Sequence, residues 1–210
     1  MIDAARFWDK MAEKYSRDPI KDMDAYTYTL ERTRSHLRTE DTVLEIGCGT
    51  GSTALLLANS VGTYHGTDIS NEMIKIARRK VAESSVANLS FEAHPALEGI
   101  HVHDGLDAVM AFNLLHLLHD IPATLKAAHT ALRPGGLFIT KTPCLRDANW
   151  KIGLMLKLIP LAQKLGKAPF VQSFTVSAYD QMTEAAGFEI IECGNHPLSP
   201  PARYVVARKI

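Results

Sequence analysis

The chain has 210 residues, of which 46% are hydrophobic and 22% are charged, a balance typical of one globular domain with a substantial buried core. Lysine plus arginine and aspartate plus glutamate both number 23, so the formal charge is zero. This balance provides no long-range field that attracts nucleic acid or an anionic membrane, and we therefore expect no nucleic-acid partner and no stable membrane insertion.

Several simple features bear on the cellular compartment. The three cysteines are widely spaced and form no CxxC pair, which argues against a disulfide framework or a zinc site. The first six residues lack the basic stretch and long apolar run of a secretory signal. The longest apolar run, at 152–159, is broken by Lys157 and stopped by Pro160, so it is too short to cross a bilayer. We expect a cytoplasmic protein without stable membrane insertion.

The predicted elements begin with two helices, at 7–15 and 25–37, long enough to fold over the carboxyl ends of the strands that follow. Strands and helices then alternate, which predicts a parallel sheet covered on both faces. The strands are expected at 42–46, 63–67, 89–93, 106–112 and 136–142, and the helices between them at 52–60, 71–83 and 122–132.

The last third of the chain has a different pattern. An apolar helical segment at 150–165 is followed by a helix at 176–186 and by strands at 187–193 and 204–208. The proline-rich gap between these two strands is too short for a crossover helix, so they should form an antiparallel hairpin at one end of the sheet. The sequence predicts a doubly wound α/β domain over 1–210, with a helical cap at 1–40 and a lid-like insertion at 143–175.

The segment VLEIGCGTG, residues 43–51, places Gly47, Gly49 and Gly51 between a buried strand and the start of a helix. Glycines in such a loop allow a ligand to approach the bare backbone, because they have no Cβ and adopt positive φ. The dinucleotide pattern GxGxxG is not matched, since Ser52 occupies its final position, and no phosphate loop ending in GK[ST] is present.

This segment resembles the first motif of class I S-adenosylmethionine-dependent methyltransferases. The resemblance continues in order and approximate spacing through TDISNEMI at 67–74, FNLLH at 112–116, LRPGG at 132–136 and EAAGF at 184–188. It implies a seven-stranded sheet of order 3-2-1-4-5-7-6 with the last strand antiparallel. It also implies S-adenosyl-L-methionine as cofactor, S-adenosyl-L-homocysteine as product, and a small-molecule methyl acceptor.

Asp68 ends the second strand about 20 residues after the glycine loop, a separation at which an acid can bond ribose hydroxyls. The resemblance implies that it binds both hydroxyls of the adenosine ribose. Ile69 and Met73 offer apolar atoms suited to an adenine ring, although core packing explains Met73 equally well. Glu45 lies in an otherwise apolar buried strand and needs a partner, for which the ammonium of the cofactor is a candidate.

The resemblance implies further contacts. The family usually has an acid after the third strand, where this chain has His94 or Pro95, so adenine contacts from the backbone are expected at His94 and Ala96. Tyr15 is expected to lie over the cofactor, and Asn113 beside it. The predicted cofactor-binding residues are Tyr15, Glu45, Gly47, Cys48, Gly49, Gly51, Asp68, Ile69, Met73, His94, Ala96, Asn113 and Leu114.

Methyl transfer from a sulfonium requires little more of the protein than alignment of donor and acceptor. A sulfonium is already an activated methyl donor, and alignment of the reactants alone can contribute roughly 7 to 11 kcal/mol. For a hydroxyl or protonated amine acceptor, His116 at the end of the fourth strand is the candidate base. A loop histidine that packs against the cofactor is an equally good interpretation. The string His101, His103 and Asp104 lacks converging partners, so no metal site is predicted.

The apolar insertion at 150–165, followed by Phe170 and Phe174, suggests a lid over a hydrophobic or aromatic acceptor, although a core helix or a dimer face has the same pattern. The chain is expected to be a monomer or a homodimer. Two rival functions remain. A nicotinamide oxidoreductase is disfavoured by Ser52 and by the absence of a suitable Tyr-xxx-Lys pair, whereas a cofactor-binding protein without turnover is compatible with every motif.

Overall fold

The structure is a computed structural model and describes residues 4–210. Predictions that include residues 1–3, among them the expectation of no secretory signal, therefore lie partly outside the described residues. The helices are α1 Ala4–Arg17, α2 Met23–His36, α3 Ser52–Leu57, α4 Asn71–Ala82, α5 Ala96–His101, α6 Ile121–Ala131, α7 Trp150–Lys164 and α8 Val176–Ala185. The strands are β1 Thr42–Ile46, β2 Thr63–Asp68, β3 Leu89–Ala93, β4 Leu106–Phe112, β5 Leu132–Pro143, β6 Phe188–Leu198 and β7 Pro201–Lys209.

The strands form one seven-stranded sheet of order β3-β2-β1-β4-β5-β7-β6. The pairs among β1 to β5 are parallel, and β7 is antiparallel to both β5 and β6. The predicted fold class, strand order and terminal hairpin are thereby confirmed. Because the chain turns outward in opposite directions from β1 and β4, the carboxyl ends of these neighbouring strands open a crevice, where doubly wound sheets bind ligands.

The core has two parts, one on each face of the sheet. Successive side chains of a strand point to opposite faces, so Leu44 and Ile46 pack with α6 and α8, whereas Val43 packs with α3 and α4. All three side chains are fully buried. Burial on both faces explains why β1 is apolar along its length, with Glu45 as the exception.

The first two helices occupy different places. The apolar side of α1 packs on α4, where Ala12 is buried beside Met73 and Ile76. The Asp9 carboxylate accepts hydrogen bonds from the Ser70 hydroxyl at 2.7 Å and from the Glu72 backbone N–H at 3.1 Å. These contacts hold α1 at the carboxyl edge of the sheet.

The second helix, α2, extends from the start of α3, after β1, to β6, the last strand in the sheet order. Near its start, the Tyr26 and Thr53 hydroxyls lie 3.2 Å apart. Near its end, the Arg32 guanidinium makes a two-pronged ion pair with Glu192 of β6, at 2.7 and 2.6 Å. Of the two helices, α1 thus packs beside α4 and is tied to the loop after β2, whereas α2 extends to β6.

Two local features differ from the sequence analysis. No helix was predicted between the third and fourth strands, where residues 96–101 form α5, a helix too short for an apolar periodicity to reveal. The loop between the last strands was expected to span about ten residues, but β6 and β7 continue until only Ser199 and Pro200 separate them. Pro197 is tolerated because β6 is the edge strand of the sheet, where one row of N–H groups has no ladder partner, and Pro201 is tolerated because it is the first residue of β7.

Within residues 4–210, no helix is long and apolar enough to cross a membrane.

The Asp9 contacts predict how firmly α1 is held. Asp9→Ala removes an acceptor for two hydrogen bonds and should lower the free energy of unfolding by about 1 to 2 kcal/mol, measured by urea unfolding. Amide exchange should quicken in α1 more than in the sheet. Asp18→Ala is the matched control, since Asp18 pairs with Lys14 at the exposed end of the same helix. Equal effects of the two substitutions would contradict this account.

Candidate active site

A cavity of about 670 Å³ lies at the carboxyl edge of the sheet, over the crevice between β1 and β4. Its walls come from α1, from the loops after β1 to β5, and from the segment after α7. A cavity of this size holds a drug-sized ligand. The lining residues from the predicted set are Tyr15, Gly47, Gly49, Asp68, Ile69, Met73, His94, Ala96, Asn113, Leu114 and His116.

The glycine loop is in the conformation that its composition predicts. Gly47 and Gly49 have φ of +66° and +55°, values that side-chain-bearing residues rarely adopt. A Cβ on Gly47 would lie 2.6 Å from Leu114 Cδ1, so the leucine occupies the space that a side chain would need. A Cβ on Gly49 would meet Tyr15 at 3.7 Å and would project toward the cavity wall. The two residues leave the backbone of the loop bare.

Asp68 is fixed across the loop by two backbone donors. The Gly49 N–H donates to Oδ2 at 3.0 Å and the Ser70 N–H donates to Oδ1 at 2.9 Å. Burial raises the pKa of this carboxyl, and the two N–H groups oppose the increase because they stabilise the charged form. Each carboxylate oxygen retains a further lone pair for a ligand.

Apolar and aromatic side chains flank Asp68. Ile69 follows it directly, and Met73 lies in the first turn of α4. Met73 is 2% exposed and also packs against α1, so it belongs to the core as well as to the cavity wall. Trp8, on α1, lines the same part of the cavity and packs edge-on against Tyr15. His94 and Ala96 bring the end of β3 to this wall.

Three predicted cofactor residues do not line the cavity. Glu45 lies beneath the loop and is 2% exposed, and its carboxylate accepts a 2.7 Å hydrogen bond from the Tyr64 hydroxyl. Burial raises the pKa of Glu45 to about 7, although the bond from Tyr64 lowers it. Cys48 is buried, and its N–H donates to the Thr67 carbonyl at 2.9 Å. Their contact with a cofactor stays a prediction.

Gly51, the third of these residues, serves the packing of the loop. A Cβ there would approach the Phe91 ring to 2.6 Å, and a Cβ on Gly66 of β2 would approach the same ring to 2.5 Å. The ring thus fits into the space that both glycines leave. Gly51 also begins α3 with a φ of +72°.

The histidines follow β4. His116 lines the cavity, and its buried Nδ1 has no hydrogen-bond partner in residues 4–210. Burial lowers the pKa of His116 to about 4, so the ring is neutral at neutral pH. The His119 ring also lines the cavity and stacks on Phe170 at 3.8 Å. Asn113 turns the chain between them and β4 with a φ of +55°, which asparagine tolerates better than most residues.

Sequence reasoning missed part of the wall. Pro143 could have been inferred, because it ends β5 at the carboxyl edge. Pro169 and Val171 come to the cavity from the predicted insertion, and no local pattern marks them. The helix α7 itself contributes no lining residue among its described positions. The additional lining residues are Ala4, Trp8, Pro95, Leu97, Phe112, Leu117, Leu118, His119, Asp120, Thr124, Pro143, Pro169 and Val171.

The cavity is lined by acidic side chains and by no lysine or arginine of the described residues. The acidic residues are Asp68 and Asp120. A diphosphate ligand normally requires cationic side chains or a helix N-terminus with free N–H groups. At the Gly49 position the N–H is already bonded to Asp68. The cavity therefore favours a neutral or cationic ligand over a dinucleotide.

The structure does not bring His101, His103 and Asp104 together as metal ligands. Among residues 4–210, no three His, Cys, Asp or Glu side chains converge as metal ligands. His101 ends α5, whereas the His103 ring packs against His65 at 4.6 Å.

Comparisons with known proteins place the chain in a family. A family model described as a methyltransferase domain matches residues 11–193. A demethylmenaquinone methyltransferase from Symbiobacterium thermophilum is 34% identical over 110 residues, which are 50% of this chain and 44% of the relative. The hybrid PKS-NRPs synthetase opdA from Penicillium oxalicum is 27% identical over 175 residues, which are 78% of this chain and 4% of the relative.

A solved structure shares the whole fold. The geranyl diphosphate C-methyltransferase from Streptomyces coelicolor A3(2), crystallised with Mg²⁺, geranyl diphosphate and S-adenosyl-L-homocysteine, superposes with a TM-score of 0.74 at 12% identity. The match covers 99% of this chain and 97% of that chain. The chain spans less than half the length of the two curated relatives, and the structural likeness concerns the fold.

The burial of Glu45 predicts a pH dependence of stability. Because its pKa rises from 4.5 in the unfolded chain to about 7 in the fold, the native state binds this proton more tightly. The contribution is complete below about pH 4.5 and is lost as the pH rises through about 7, a loss of about 3 kcal/mol. Urea unfolding of the wild type and Glu45→Gln should diverge over this range, with the wild type weakening relative to the variant. Parallel curves would refute the assignment, and Glu98→Gln is the exposed control.

Proposed function

The chain belongs to the methyltransferase-domain family, and we propose that it transfers a methyl group from S-adenosylmethionine to a small apolar acceptor. One observation carries this proposal: the cavity has two kinds of wall, arranged along the order of the strands. The glycine loop, Asp68 and His94 lie at the ends of β1, β2 and β3 and present bare backbone and a carboxylate. The chain after β4 and β5 brings apolar side chains to the cavity together with a few polar ones, namely Asn113, His116, His119 and Asp120. These two strand groups lie on opposite sides of the crevice.

The side of β1 to β3 suits the cofactor. Asp68 would accept hydrogen bonds from the two ribose hydroxyls, because each of its oxygens still has a free lone pair. Ile69 and Met73 would enclose the adenine, and Tyr15 would lie beside the methionine part near Gly49. A cavity lined by carboxylates and no cationic side chain of the described chain matches a ligand with a sulfonium and an ammonium group.

The side of β4 and β5 suits the acceptor. Leu117, Leu118, Pro143 and Val171 give it an apolar surface beside the polar groups of the loop after β4, which favours a hydrophobic or aromatic molecule with one polar reacting group. The names of two similar proteins agree with this class, since one acts on demethylmenaquinone and the other on geranyl diphosphate. A diphosphate acceptor fits less well here, because no lysine or arginine in the described residues lines the cavity.

The proposed reaction depends mainly on the alignment of the acceptor with the methyl donor. When bound, S-adenosylmethionine would supply an electrophilic methyl group, which would pass to the acceptor as the S–CH3 bond breaks and S-adenosylhomocysteine is released. The apolar wall excludes water and orients the acceptor, and such positioning can contribute roughly 7 to 11 kcal/mol. His116 would accept the proton of a hydroxyl or amine acceptor. Its low pKa keeps the imidazole unprotonated at neutral pH but makes it a weak base, so the alignment contributes more.

Calorimetric titration tests the cofactor assignment. Asp68→Ala should weaken binding of S-adenosylmethionine and S-adenosylhomocysteine about 100-fold, since two charge-assisted hydrogen bonds are lost. Asp120→Asn is the matched control, because Asp120 lines the same cavity and caps α6, a role that asparagine preserves. Tight binding of NADH in place of the sulfur compounds would indicate an oxidoreductase. Binding of S-adenosylmethionine without release of S-adenosylhomocysteine, when phenols, quinones, amines and fatty acids are offered as acceptors, would indicate a protein without turnover.

The role of His116 is tested by rates. His116→Ala should lower kcat by about 100-fold and leave cofactor affinity unchanged. The wild-type kcat/KM should stay flat between about pH 5.5 and 8, because a histidine with a pKa of about 4 is fully deprotonated there. His119→Ala is the control and should change the KM for the acceptor. An inflection near pH ~6.5 that disappears in His116→Ala would contradict the low pKa, and an unchanged kcat would remove the base role.

A further inference from the structure

The helix α7 and the residue that caps its end carry an exposed apolar stripe, defined by Trp150, Leu154, Leu158, Leu161 and Leu165. Their exposed fractions lie between 56% and 75%. Spacings of three and four residues place these side chains on one side of the helix. Ile152, Leu156 and Ile159 lie on the opposite side and are half-buried. A helix that is apolar on both sides is normally enclosed, so the exposed stripe marks an interaction surface.

The charge of the surrounding segment identifies the kind of partner. Residues 148–179 contain four lysines and no arginine, aspartate or glutamate. The rest of the chain then has 19 basic and 23 acidic residues, since both totals are 23. The net charge of zero therefore hides a local excess of positive charge in the segment that carries the apolar stripe. Lys157 and Lys164, seven residues apart, are both exposed and flank the stripe.

This combination favours a lipid surface over a second copy of the chain. If two copies packed α7 against α7, each would present lysines to a segment without acidic side chains, and the like charges would repel. An anionic bilayer offers both complements at once: acyl chains for the leucines and phosphates for the lysines. A helix of 15 residues is about 22 Å long, too short to span the hydrocarbon core but suited to lie along its surface.

The same segment is connected to the cavity. The Gln163 side-chain amide, near the end of α7, donates to the Pro169 carbonyl at 2.9 Å. Pro169 and Val171 line the cavity. The Gln172 N–H then donates to the carbonyl of His116 at 2.7 Å. A surface seated on α7 would thus adjoin the apolar wall of the cavity.

We propose that α7 docks the protein on the surface of an anionic membrane, with the stripe in the headgroup region and the cavity beside the bilayer. Docking is peripheral and is independent of the methyl transfer proposed above. Its consequence for the acceptor rests on that proposed function: an apolar molecule dissolved in the bilayer would enter the cavity along the α7 side.

Vesicle flotation tests the docking directly. The wild type should float with vesicles of phosphatidylcholine and phosphatidylglycerol, and poorly with phosphatidylcholine alone. Leu154→Ser with Leu158→Ser should reduce the bound fraction, and Leu198→Ser, at an exposed position on the β6–β7 hairpin, is the matched control. Lys157→Gln with Lys164→Gln should weaken binding to anionic vesicles roughly tenfold, and high salt should act in the same direction. Lys126→Gln, exposed on α6, is the control for charge.

Two further measurements keep the outcomes distinct. Circular dichroism and calorimetry with S-adenosylmethionine establish that the variants are folded, and affinity for the cofactor should not change. Loss of flotation with intact cofactor binding supports the proposal, and failure of cofactor binding in the wild type would count against the proposed function alone. Absence of wild-type flotation, flotation unaffected by the leucine substitutions, or a dimer in analytical ultracentrifugation that these substitutions disperse would overturn the membrane assignment.

Discussion

The fixed position of the Asp68 carboxylate is the constraint on which the edge of the sheet depends. Its two oxygens take hydrogen bonds from Gly49 in the loop after β1 and from Ser70 at the start of α4. Ser70 also donates to Asp9, which brings α1 to the same point. Three segments distant in the sequence are thus tied to one carboxylate. Both the bare glycine backbone and the helix that closes the cavity are held in place by these bonds.

Most of the fold and the half of the candidate site beside β1 and β2 could be predicted from local signals. Alternating strands and helices determine a doubly wound sheet, and the spacing from the glycine loop to Asp68 places an acid across the crevice. The sequence predicts a lid from the insertion at 143–175, but it does not indicate that Pro169 and Val171 are the residues that line the cavity, because this depends on how a long insertion returns to the sheet. Short elements such as α5 also cannot be predicted from the sequence, because six residues are too few to show a helical period.

Glu45 shows where sequence reasoning reaches its limit. A glutamate within a buried strand must have a partner, and that much follows from the sequence. The register of the sheet decides which partner: Glu45 lies opposite Gly66, so Tyr64, two residues earlier on β2, points to the same face and reaches the carboxylate. Neither the strand pairing nor the absence of a side chain at Gly66 is visible from the neighbourhood of Glu45 in the chain.

The packing around Phe91 has a consequence for how this sequence can vary. One aromatic ring fills the room left by Gly51 and Gly66, and a methyl group on either glycine would overlap it. The three positions therefore behave as a single volume shared between two backbones and a ring. At Gly66 a larger residue is compatible with the fold only alongside a smaller one at 91, so changes at these two sites are expected to be correlated and their effects non-additive. At Gly51 the positive φ opposes any side chain, whatever stands at 91.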